Sequence, residues 1–204
     1  LEKVIFAFVG VLFVIGLTFF LVGYFKPKKA GILIETTPTA SVYIDGVQVG
    51  RTPYEMTKTP SEVVVKLIPE SLGKPLVPYE TKVNLGTGIK TIIKREFGES
   101  DETSAGEVIS FEKVGVKETS LAVISVPDSA QVSIDGQIRG FAPIKITDIS
   151  AGEHQVAVSA ERFKERTFTV KTIAGYKLTA IVKLAVNSDL PKEFVFYQYA
   201  FTPS

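Results

Sequence analysis

A twelve-residue pattern occurs twice in the chain and constrains its fold more than any other feature. Val42-Tyr-Ile44-Asp45-Gly46-Val-Gln-Val-Gly50-Arg-Thr-Pro53 returns ninety residues later as Val132-Ser-Ile134-Asp135-Gly136-Gln-Ile-Arg-Gly140-Phe-Ala-Pro143. In each copy two alternating β-branched residues run into Asp-Gly, and a Gly and a Pro follow at the same spacings. Asp-Gly between extended segments signals a hairpin, because both central residues of a type I′ turn need φ > 0. A hairpin repeated at this distance predicts two β-rich units of one kind.

The 204 residues could hold one large domain or two small ones, and the repeat decides for two, each with a modest core. The 23 basic and 22 acidic residues nearly cancel, and no basic face stands out, so no nucleic-acid partner is expected. The absence of cysteine excludes disulfides, thiolate metal sites and cysteine nucleophiles. Val, Ile, Thr, Tyr and Phe dominate the rest, which favours strands.

Val4 to Phe25 runs 22 positions without a charge. As a helix it would span roughly 33 Å, against a hydrocarbon core of about 30 Å. The run is longer than the h-region of a signal peptide, and no small-x-small cleavage site precedes Lys26. Residues 1–25 are therefore read as a single-pass anchor in the cytoplasmic membrane with the β-domains outside. Lys26, Lys28 and Lys29 after the span, against Lys3 before it, oppose that orientation under the positive-inside rule.

Beyond Lys29 the chain alternates in short runs. Gly31 to Glu35, Val42 to Ile44, Val63 to Leu67, Tyr79 to Leu85 and Ile89 to Ile93 read as strands of a first unit, 26–97, with Pro69 to Pro78 as an inserted surface loop. Leu121 to Val126, Gln131 to Ile134, His154 to Val158, Thr167 to Val170 and Leu178 to Leu184 read as the second, 119–185. Between them, 98–118 is an acidic linker with an extra alternating strand, Val108 to Val116. The fold class expected is all-β: two tandem antiparallel sandwich-like domains after one transmembrane helix. The tail, 186–204, is aromatic. It reads as an edge strand, a partner-binding segment or the start of a further domain.

These residues resemble the PEGA domain, a small β-rich module of surface proteins. The second copy carries Ser125-Val-Pro127, Val132-x-Ile134-Asp135-Gly136, Gly140-x-x-Pro143, Ala151-Gly152-Glu-His154-x-Val156-x-Val158 and Phe163, with Arg162 where the family usually has Gly. The first keeps Pro38, Asp45-Gly46 and Gly50-x-x-Pro53, but reads Pro60-Ser-Glu-Val63 in place of the Gly-x-His step. The resemblance implies two tandem PEGA-like repeats and no catalytic site, since a fold alone never supplies one.

The residues themselves offer little chemistry. Asp45, Gly46, Gly50, Pro53, Asp135, Gly136, Gly140 and Pro143 read as structural turn residues, the aspartates bonding to their own backbone. His154 is the only histidine, so a triad or histidine metal pair would rest on it alone, and a strand histidine satisfied locally is the simpler reading. Glu99, Asp101, Glu102 and Glu107 read as a solvated linker rather than a calcium site. No catalytic, cofactor or metal residue is assigned. Phe194, Phe196, Tyr197, Tyr199 and Phe201 are the candidate partner-binding tail.

The resulting expectation is a non-enzymatic, membrane-anchored envelope protein. Its β-domains would bind cell-wall polysaccharide, a surface-layer protein or another envelope protein. The alternatives are an extracytoplasmic sensory or regulatory subunit of a membrane complex and a carbohydrate-active enzyme with an unrecognised carboxylate pair.

Overall fold

A computed structural model describes residues 2–24, 28–71, 73–115 and 118–188. One helix, α1 (Glu2–Tyr24), precedes fifteen strands among these residues. In the first half these are β1 (Ala30–Thr37), β2 (Ala40–Ile44), β3 (Val47–Arg51), β4 (Tyr54–Lys58), β5 (Ser61–Pro69), β6 (Tyr79–Leu85) and β7 (Lys90–Glu96). Next comes β8 (Ala105–Lys113). The second half holds β9 (Ser120–Val126), β10 (Gln131–Ile134), β11 (Gln137–Phe141), β12 (Ile144–Ile146), β13 (Gly152–Ser159), β14 (Arg166–Thr172) and β15 (Tyr176–Lys183).

The two halves route the chain identically. Two four-stranded sheets run β3-β2-β5-β6 and β11-β10-β13-β14, each built on one Asp-Gly hairpin. The remaining strands form one seven-stranded sheet, β12-β9-β15-β8-β7-β1-β4. Read outward from β8, the two arms mirror each other: β7, β1, β4 on one side and β15, β9, β12 on the other. The order explains why one strand pair in each arm is parallel. The chain leaves β1 for the small sheet and returns to lay β7 beside it in the same direction, as β15 returns beside β9. A parallel pair requires such a long crossover.

The seven-stranded sheet carries a small sheet on each face, at opposite ends. Ile93 of β7 is buried with Ile32, Val42, Val65 and Leu67 of the first half, while its neighbour Ile92 packs against the second core. On β8 the alternation is reversed: Ile109 belongs to the core of Leu121, Val132, Val156 and Leu178, and Val108 packs against the first. Adjacent residues of a strand point to opposite faces, so β7 and β8 divide their side chains between two cores.

Two expectations are corrected. The class is mostly β with several sheets, but it is not a pair of separate antiparallel sandwiches. The halves share a mixed sheet, and alternation of apolar residues says nothing about strand direction. The single-pass anchor also fails. Among the described residues no helix is long and apolar enough to cross a membrane. The membrane partner, the cytoplasmic-membrane location and the membrane-anchored function built on that span are therefore not supported.

Candidate functional site

The arrangement in the molecule that most resembles an active centre lies where the second hairpin meets β13. Asp135 Oδ2 is 2.7 Å from His154 Nδ1, and Ser150 Oγ is 3.4 Å from His154 Nε2. Side by side these are the three groups of an acyl-transfer triad. The rest of the geometry removes that reading. Nε2 is closer to the Ser150 carbonyl oxygen, at 3.0 Å, and a carbonyl can only accept. The ring therefore donates from Nε2 to Ser150 and from Nδ1 to the Asp135 carboxylate, and keeps no lone pair with which to take a serine proton. His154 is 9% exposed and serves as a cationic staple between the turn and the start of its neighbouring strand.

Both aspartates act through the neighbouring strand rather than through their own backbone. Asp45 and Asp135 adopt φ of 52° and 50°, followed by Gly46 and Gly136 at 82° and 77°. Oδ1 accepts the backbone N–H of Val64 in the first copy and of Gln155 in the second, both at 2.9 Å. The aspartate's own N–H donates back to the Val64 or Gln155 carbonyl, again at 2.9 Å. Gly50 and Gly140 sit opposite the register shifts in β2 and β10. An added Cβ at Gly50 would press on the Tyr54 ring at 3.0 Å, and Gly140 adopts φ of 139°, a conformation that L side chains rarely take. Pro53 and Pro143 follow β3 and β11, each in a cis peptide bond.

The first copy replaces the histidine with a different cation. Ile44 pairs with Val65 and Ile134 with Val156, so Val63 occupies the place of His154. Lys58, from the end of β4, reaches the free oxygen instead, with Nζ 3.0 Å from Asp45 Oδ2. Here the Val64 N–H and then the Lys58 ammonium hold the Asp45 carboxyl below its ordinary range. In the second copy His154 and then the Gln155 N–H do the same for Asp135. The hydrogen bond to Asp135 raises His154, against the opposing effect of burial.

This difference makes the two turns respond differently to pH. Asp135 is lowered from an ordinary 3.8, so its contribution to stability is present above that value and is lost as pH falls through the native pKa. His154 is raised from 6.5, so its contribution is full below 6.5 and is lost as pH rises through the native pKa. Urea midpoints should fall between pH 5.5 and pH 9, and His154→Val, which installs the first copy's residue, should flatten that decline. An unchanged slope in the variant would remove His154 from the account.

A second polar cluster joins the halves. Glu107 of β8 is 2% exposed and is held by Arg166 Nε of β14, whose Nη1 also lies 2.9 Å from Glu96 of β7. Burial pushes the Glu107 carboxyl up, with Arg166 pulling against it. Beside this pair, Asp101 bonds Lys183 of β15 and, at 3.1 Å, the buried Arg95 of β7. The Lys183 hydrogen bond leads in lowering Asp101. The Arg95 guanidinium lies 4.4 Å from the Tyr79 ring centre, within cation–π range.

The solvated-linker reading of the acidic segment is thus corrected for Glu107, which is buried against Arg166, while Asp101 stays exposed and bonds one cation from each half, Arg95 and Lys183. Glu99 pairs with Lys74 of the inserted loop at 2.6 Å, and the Glu102 carbonyl accepts the Val186 N–H. Among the described residues no group of three or more His, Cys, Asp or Glu could hold a metal ion. Phe194, Phe196, Tyr197, Tyr199 and Phe201 lie outside the described residues.

The PEGA domain model matches residues 118–187. No curated protein matches the chain. The expected pair of PEGA-like repeats in a membrane-anchored protein is corrected to one PEGA-like region. The matched span contains the Gly152-Glu-His154 step, and the unmatched first half has Val63 and Lys58 in its place. The match, with no catalytic motif in the sequence, fits a non-enzymatic interaction module.

Proposed function

We propose that the chain is a non-catalytic β-protein in which two units, 26–97 and 119–185, are joined through 98–118 into one rigid interaction body. The observation that carries this reading is β8. It is flanked by β7 of one unit and β15 of the other, antiparallel to both. A flexible linker would let two binding modules move independently; a shared central strand fixes their spacing and puts their small sheets on opposite faces. Arg166 with Glu107 and Glu96, and Asp101 with Lys183 and Arg95, support the same reading, because each cluster contains groups from both units.

Spin labels provide the test. The chain has no cysteine, so Lys82→Cys and Lys171→Cys, both exposed on the edge strands β6 and β14, label one unit each without background. A single narrow distance distribution is expected by double electron–electron resonance. A broad or multi-peaked distribution would overturn the rigid body.

A further inference from the structure

The two copies differ at one matching surface position, at the open end of the small sheets. In the first copy Ser41 faces Arg51 across the hairpin and Ile68 on its other side, with Glu70 two residues beyond. Arg51 Nε lies 2.9 Å from Glu70 Oε1, and Ser41 Oγ donates to the same oxygen at 3.4 Å. The second copy has the same register with other chemistry. Gln131 faces Phe141 and Ser159, and Glu161 lies two residues beyond. The arginine is replaced by a phenylalanine that is 62% exposed, and the glutamate is retained.

The consequence is a groove of about 550 Å³ lined by Phe141, Phe163, Gln131, Asp128 and Glu161, among others. Among the described residues neither Asp128 nor Glu161 forms an ion pair, although Arg162 is adjacent in sequence. Two carboxylates without an ion pair among the described residues and two phenyl rings line one groove, at the position where the first copy places a guanidinium of its own. Arginine suits such a site better than lysine, because its planar group stacks on an aromatic face while its N–H fork engages a carboxylate.

We infer that this groove takes an arginine side chain from a partner polypeptide, the guanidinium stacking on Phe141 and pairing with Glu161 as Arg51 pairs with Glu70. The inference rests on reading the chain as an interaction module, but it is independent of rigidity between the units, which the spin-label distances test separately.

The test is a titration of the ¹⁵N-labelled full chain with acetyl-Gly-Gly-Arg-Gly-Gly-amide and with its citrulline analogue, which keeps the shape and loses the charge. Saturable shifts are expected at Gln131, Phe141, Glu161 and Phe163, with a Kd of about 1 mM and citrulline at least about fivefold weaker. Phe141→Arg should form the internal pair seen in the first copy and abolish binding, and Glu161→Gln should weaken it by a similar factor. The reverse exchange, Arg51→Phe, should open a second site and bring Ser41 and Glu70 into the set that shifts. Equal response to arginine and citrulline, no shift up to about 20 mM peptide, or retained binding by Phe141→Arg would overturn the inference. Shifts of the same amides by an oligosaccharide such as chitotriose, with none from the arginine peptide, would overturn it in favour of a glycan.

Discussion

Replacing Arg166 with alanine is expected to destabilise the protein by about 3–5 kcal/mol, the cost of leaving a buried ion without its partner. The side chain of Glu107 is 1% exposed, and Arg166 is the cation that satisfies it from β14. The loss should depend on pH. Burial already raises Glu107 above its ordinary 4.5, and removing Arg166 raises it further. A carboxyl raised on folding costs nothing below its unfolded pKa, where both states are protonated. Stability of the variant should therefore decline from about pH 4.5 upward until Glu107 ionises in the folded state. The double variant Glu107→Leu, Arg166→Met should recover most of the loss, since apolar side chains of similar volume replace buried ion pairs at little cost. Urea unfolding at pH 4 and pH 8 measures all three proteins. A loss under 1 kcal/mol in Arg166→Ala at pH 8, or a double variant no better than the single, would show that the pair does not hold the junction.

Much of the fold was legible because strand alternation and Asp-Gly turns are local signals. Val63, Val65 and Leu67 are buried on one face of β5, and Asp45-Gly46 sits at the hairpin. What sequence could not show is where the strands go. Nothing in Ile32 or Ile93 announces that β1 and β7 are parallel, since direction follows from the crossover rather than from the residues. Glu107 was hidden for a related reason. It stands in an acidic stretch, and its partner lies 59 residues away. One local sign was present: Glu107, Ile109 and Phe111 share a face of β8, so a charge falls in register with core residues. The exchange of His154 for Lys58 was equally out of reach, because Lys58 comes from a different strand than the Val63 that replaces the histidine. The first copy lacks the Gly-x-His step, yet Lys58 supplies the same positive charge to Asp45 by another route. The Phe141 groove becomes visible only when the copies are compared in register, where Phe141 stands in the place of Arg51 and Glu161 has no ion pair among the described residues.

The junction itself should be severed by one methyl group. Gly106 of β8 pairs with Arg95 of β7 and Lys183 of β15, at the centre of the shared sheet. A Cβ at Gly106 would lie 2.3 Å from the Lys94 carbonyl oxygen and 3.2 Å from the Arg95 Cα. Both contacts are with backbone, so no side-chain rotation relieves them, and β8 must move away from β7. Gly106→Ala is expected to cost about 3 kcal/mol, the upper part of the range for forced overpacking. It should also broaden the distance distribution between labels at positions 82 and 171, because β7 and β8 are the strands through which the two arms of the sheet meet. Gly31→Ala is the control. It too lies in a paired strand, but the nearest atoms to its new Cβ are at 3.4 Å and belong to the flexible Lys90 side chain, so a much smaller loss and an unchanged distribution are expected. If Gly106→Ala lowers stability while the distribution stays narrow, the halves are held together by the Arg166 and Asp101 clusters rather than by the sheet. If neither changes, β8 tolerates the added methyl, and the close approach of the two backbones does not constrain the junction.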